Sequence, residues 1–106
     1  MADEVVVLIT AASDSEAAGI ARSLVDEHLA ACANIVPGVR SIFFWDGKTQ
    51  DEREVLLICK SRLALVSAII RKVKSLHSYS VPEIIALPII AGSPDYLDWV
   101  RETTKE

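Results

Sequence analysis

A chain of 106 residues that is 51% hydrophobic and 25% charged can bury one real core and is too apolar to stay disordered. Its formal net charge of −4 leaves no basic stripe for a nucleic-acid backbone or an anionic membrane surface. Its apolar runs fall well short of the ~20 residues of a membrane span, and its acidic start is unlike a signal peptide. Two cysteines, Cys32 and Cys59, are too few for a disulfide scaffold. We therefore expect one domain over residues 1–106, cytoplasmic, with reduced thiols.

In chain order, Glu4–Thr10 (EVVVLIT) is apolar on both faces, which predicts a central strand covered on two sides. Ser13 and Glu16 fit a capping box, and Ala17, Ile20, Ala21, Leu24, Val25 and His28 then recur at helical spacing, predicting a helix that ends near Ala30. Two β-type arms follow, Cys32–Trp45 and Thr49–Lys60, joined at Trp45-Asp46-Gly47-Lys48. Asp-Gly between alternating apolar residues is a strong hairpin signal. Pro37-Gly38 predicts a bulge or bend in the first arm. At ~3.3 Å per residue each arm spans roughly 40 Å, about twice a usual strand. Near the tip Ile42 and Phe44 point to one face, Phe43 and Trp45 to the other. A tip that is apolar on both faces needs cover, and a second copy of the chain is the simplest supplier. Asp51–Glu54 reads as a solvated strand end, and Val55–Cys59 as the central part of the second arm.

Ser61 is placed to cap a second helix with Val66, Ile69, Ile70, Val73 and Leu76 or His77 as its buried stripe. Ser78–Pro82 must be a loop, because Pro82 pushes Val81 into an extended conformation. Glu83–Ala91 reads as a strand in which Pro88 marks an edge or a bulge. Ser93-Pro94 opens a short helix through about Thr103, docked by Tyr96, Leu97 and Val100. The order β-α-β-β-α-β plus a final helix is an α+β, ferredoxin-like arrangement, with the first hairpin arm and the last strand on the two edges. Unpaired edges are a second argument for an oligomer.

Several separated motifs now point to a family. Leu29-Ala30-Ala31-Cys32-Ala33-Asn34-Ile35, Ser41 through Trp45 with Gly47-Lys48, and Glu54-Val55-Leu56-Leu57 resemble, in order and spacing, the CutA family of divalent-cation tolerance proteins. The likeness continues through Leu76–Ile84 to Gly92, Tyr96, Leu97 and Trp99, and so covers essentially the whole chain. It implies a homotrimer of ferredoxin-like subunits whose hairpins and edge strands form inter-subunit sheets. It also implies a link to tolerance of copper and other divalent metals, with no obligatory cofactor. Members commonly show His-Pro-Tyr-Glu where this chain has His77-Ser78-Tyr79-Ser80, one acidic residue fewer beside the histidine.

His77 and Glu83 flank the proline-containing loop. Imidazole with carboxylate suits Cu(II) or Zn(II), and a thiolate from Cys32 would favour Cu(I). Each also has a purely structural reading: His77 as a cap on the helix C-terminus, Glu83 as a strand start, Cys32 as a small buried hydrophobe. Cys59 reads as core. Trp45 and Tyr79 either line a pocket between subunits or fill the subunit interface, and Lys60 either neutralises a bound anion or pairs with Glu83. The expected function is a homotrimeric divalent-metal (copper) binding and tolerance protein that is not an enzyme. The alternative is a PII-like trimeric signalling module holding small molecules between subunits. Against it stands the lack of a glycine-rich or basic phosphate loop, and against catalysis the lack of a nucleophile–base constellation in the spacing. Metal ions and further copies of the chain are the expected partners, without nucleic acid or membrane insertion.

Overall fold

The valine-rich start forms strand β1 (Glu4–Ala11) in a computed structural model that describes residues 3–105. Alternation along β1 sends Val5, Val7, Ile9 and Ala11 to one face, where all four are buried. Helices α1 (Asp14–Asp26) and α2 (Val66–Leu76) cover that face, contributing Ala17, Ile20, Leu24, Ile69 and Val73 to the core. The hairpin arms are β2 (Cys32–Trp45) and β3 (Lys48–Arg62), and the chain ends with β4 (Ile84–Pro88) and helix α3 (Pro94–Thr103). The sheet is antiparallel throughout in the order β2-β3-β1-β4, so the fold is α+β and ferredoxin-like with the expected edges.

The hairpin turn follows from its residues. Asp46 and Gly47 both take positive φ, at 55° and 76°, as a type I′ turn between Trp45 and Lys48 requires. The bulge also lies where Pro37-Gly38 placed it. Val36 faces Leu56 and Val39 faces Glu54, so Pro37 and Gly38 together oppose Val55 alone, with Gly38 at φ 73°. Pairing of β3 with β1 stops at Val55–Ala11. Residues 48–54 are therefore bonded to β2 alone and project as a ribbon, and with it included the longest extent of the Cα atoms is 44 Å.

Helical cover on the second face of the sheet lies at its base. There α3 packs with Val100 fully buried, and Thr104 Oγ1 accepts a hydrogen bond from Arg62 Nε at 3.0 Å. Leu8 and Ile58, further along that face, are half-buried. Among the described residues no helix is long and apolar enough to cross a membrane.

Three boundaries differ from the sequence reading. The first helix stops at Asp26, short of Ala30, because His28 turns into the left-handed region at φ 59° and the N–H groups of Leu29 and Ala30 both donate to Leu24 O. Ser61 caps no helix: β3 runs on to Arg62, and the fully buried Ser61 hydroxyl donates to Leu29 O at 2.6 Å. A 3-10 turn at Leu63–Leu65 leads into α2 without a side-chain cap. The last strand ends at Pro88, not Ala91, because Pro88 faces Val5 and β1 offers only Glu4 beyond it, which accepts from the Ile89 N–H at 3.1 Å.

Candidate functional site

A cleft of about 910 Å³ opens where the ribbon leaves the sheet, walled by Phe43, Trp45, Glu52, Glu54, Tyr79 and Glu83, with Thr10 at the end of β1. The local sequence explains its position. β1 has run out, the Pro37-Gly38 bulge twists the ribbon away, and the loop after α2 enters the gap.

His77 ends α2 in an extended conformation, which swings its ring towards β1. Its Nδ1 accepts the Tyr79 N–H at 3.0 Å, so in this neutral tautomer Nε2 carries the proton and donates to Thr10 O at 2.6 Å. The His77 and Tyr79 rings stack obliquely with centroids 4.6 Å apart. The Tyr79 hydroxyl in turn donates to Glu54 Oε2 at 2.8 Å. Burial, then the bond to Glu54 and the charges of Glu54, Glu16 and Glu52, push the phenol well above its usual range. It therefore remains a proton donor to Glu54.

Glu16 fastens the same loop from the other side. Its N–H donates to Ser13 Oγ at 3.2 Å, the expected helix cap. Its carboxylate reaches past Ser13 to accept the N–H of Ala12 at 3.0 Å and, with the other oxygen, that of Ser78 at 2.8 Å. Burial raises the Glu16 pKa, but the Ala12 and Ser78 hydrogen bonds, with His77 nearby, outweigh it and hold the carboxyl below its usual value.

Tyr79, Trp45 and Glu83 thus line one cleft, with Glu83 exposed, whereas His77 supports Tyr79 from outside its wall. Cys32 and Lys60 lie elsewhere. Cys32 faces Lys60, whereas Thr10 faces Leu56, so about 13 Å of β3 separates the two positions at ~3.3 Å per residue. Lys60 Nζ donates to Asn34 Oδ1, and no Lys60–Glu83 ion pair occurs among the described residues. Glu54 and Glu16 are the contributors that sequence reasoning missed. Glu54, expected to be solvated, is 8% exposed, and the available signal is its place directly before a buried run and next to the bulge.

Glu52, Glu54 and Glu83 offer oxygen donors suited to a divalent cation. His77 can add a nitrogen only by giving up one of its two bonds. Among the described residues of one chain, no three His, Cys, Asp or Glu side chains converge closely enough to hold a metal ion.

Residues 5–103 match the family described as CutA1 divalent ion tolerance protein. The divalent-cation tolerance protein CutA of Thermus thermophilus is 50% identical over 95% of this chain and 98% of its own length. Protein CutA 1, chloroplastic, of Oryza sativa is 45% identical over 96% of this chain, which spans 58% of that longer relative. In solved structures, the divalent cation tolerance protein of Thermus thermophilus superposes with a TM-score of 0.94 at 50% identity, covering 96% of this chain and 99% of its own. CutA1 from Oryza sativa superposes at 0.95 and 44% identity, covering 98% and 95%.

Proposed function

Since this chain belongs to the CutA1 divalent ion tolerance family, we propose that it is a homotrimeric divalent-metal binding and tolerance protein, with copper foremost among its ions. The observation that carries the reading is the cleft, where Glu52, Glu54 and Glu83 stand with Tyr79, itself backed by His77, beside a ribbon whose tip is apolar on both faces. One chain stops short of a coordination sphere, so a neighbouring subunit completes it. His77 and Glu83 contribute from one chain, and Cys32 adds a soft donor where subunits meet. Trimer assembly is supported by Ile42 and Phe44, 66% and 73% exposed at the tip, and by the open edges of β2 and β4. Trp45, Tyr79 and Lys60 then lie at or near the subunit boundary. The protein acts by binding rather than catalysis, and two unpaired cysteines suit the cytoplasm.

The test is an anaerobic copper titration by calorimetry of wild type and His77→Ala, with oligomer mass measured in the same buffer. We expect one site per chain or per trimer, at micromolar or tighter affinity, lost in the variant. Unaltered binding by a folded His77→Ala trimer would remove His77 from the ligand set, and a monomeric mass would remove the shared site.

A further inference from the structure

We propose that helix α3 is a lid poised to lift from the base of the sheet, held down over charges that it buries without fully pairing. The helix lies across the base from β2 towards β1. In its first turn the Tyr96 hydroxyl adjoins the Cys32 thiol on β2, and burial, then that thiol, raises the Tyr96 pKa. In its last turn Arg101 reaches Glu4 on β1. Val100 is the one residue of the helix that is buried, while Tyr96 and Trp99 remain exposed. A short helix anchored by a single apolar side chain belongs to the low-stability end of a fold, where local opening occurs. The connection from Ile90 to Ser93 is exposed throughout and serves as the hinge.

Polar ties hold the far end. Besides the Arg62–Thr104 bond, a His28 ring nitrogen bonds to Thr103 O at 3.0 Å, and the Lys105 N–H donates to His28 O at 2.8 Å. The charges beneath the helix are less well served. Glu4 and Arg62 are direct partners in the β1–β3 register, and strand alternation sets both side chains on the face that α3 covers. Yet Glu4 Oε2 and Arg62 Nη2 are buried without a hydrogen-bond partner among the described residues. Arg101 Nε stands 3.5 Å from Glu4 Oε2 without bonding to it, while Arg101 Nη1 donates to Asp98 at 2.9 Å. Buried polar atoms left unpaired oppose burial, because water would pair them. Lifting α3 hydrates both atoms, which offsets the lost Val100 contact, and it draws Tyr96 away from Cys32. The lid therefore governs how readily Cys32 meets solvent, whether or not that thiol holds a metal.

The test is the rate at which a thiol-specific disulfide reagent modifies Cys32 in the folded chain, followed peptide by peptide, with the fully buried Cys59 as the marker of general unfolding. Arg101→Ala removes the cation beside Glu4 at the end of α3 opposite Tyr96. Cys32 is expected to react about tenfold faster in this variant than in wild type, while Cys59 stays unreactive. Glu4→Leu/Arg62→Met takes away the unpaired charges and is expected to slow Cys32 several-fold below wild type. A Cys32 rate unchanged by Arg101→Ala overturns the lid, because direct access to a half-buried thiol does not depend on a tie at the other end of the helix. Reaction of Cys59 in step with Cys32 overturns it too, since the whole chain would then be opening. Equal or faster reaction of Cys32 in the folded double variant overturns the part given to the buried charges. Should the double variant not fold, Arg101→Ala decides alone, because the Arg101 side chain is 48% exposed and stands outside the core.

Discussion

The Glu16 carboxylate, on the first turn of α1, accepts the backbone N–H of Ser78, 62 residues further along the chain, at 2.8 Å. A residue that local rules assign to helix capping thus also fixes the loop that closes the cleft. Hydrogen bonds to a charged group contribute about 1.5–3 kcal/mol. Glu16→Ala is expected to lower stability by about 2 kcal/mol in urea denaturation, since it removes two such bonds from a partly exposed group. Because folding lowers the Glu16 pKa, the unfolded chain takes up the proton first. Its contribution is full above the ordinary glutamate range and is lost as pH falls through the depressed folded value. Glu16→Ala should therefore flatten the loss of stability on acidification, and an unchanged slope would assign that loss to other carboxylates.

Ser61 should be the most sensitive small polar side chain in the sheet. Its hydroxyl is fully buried and donates to Leu29 O, the carbonyl just after the left-handed turn at His28. Ser61→Ala leaves that acceptor without its side-chain donor, at a cost of about 1–3 kcal/mol. A midpoint shift in denaturant with unchanged steepness is the expected result.

The two thiols should behave differently. Burial, reinforced by Cys32 and offset by Lys60, pushes the Cys59 thiol up to about 12, and its side chain has no exposure. The folded Cys32→Ser variant is expected to resist a thiol-specific disulfide reagent until it is unfolded. Rapid labelling of the native variant would show that β3 opens locally.

Assembly should depend on the ribbon tip. Placing lysine at Ile42 or Phe44 puts a charge where an apolar cover is needed, and neither side chain belongs to the core of the single chain. Ile42→Lys/Phe44→Lys is expected to reduce the oligomer mass in light scattering while far-ultraviolet dichroism stays near wild type. An unchanged mass would move the interface away from the tip.

The amino-acid order by itself determined the parts that rest on local rules. The continuous apolar run in Glu4–Thr10, helical spacing after Ser13, Asp46-Gly47 between apolar runs and the break at Pro37-Gly38 each act over a few residues, and together they specify the ferredoxin-like order. Only the tertiary structure decided where α1 ends and what Ser61 and Glu54 do. His28 takes the left-handed conformation that glycine usually supplies after a helix, and a ring nitrogen bonded to Thr103 O, 75 residues away, steadies it there. Ser61 finds its acceptor 32 residues back, and Glu54 its donor 25 residues ahead. Such partners come within reach only after β1, β2 and β3 have settled into register. A buried polar group is then held by whatever donor or acceptor the fold has brought beside it, which neighbouring residues in the chain do not reveal.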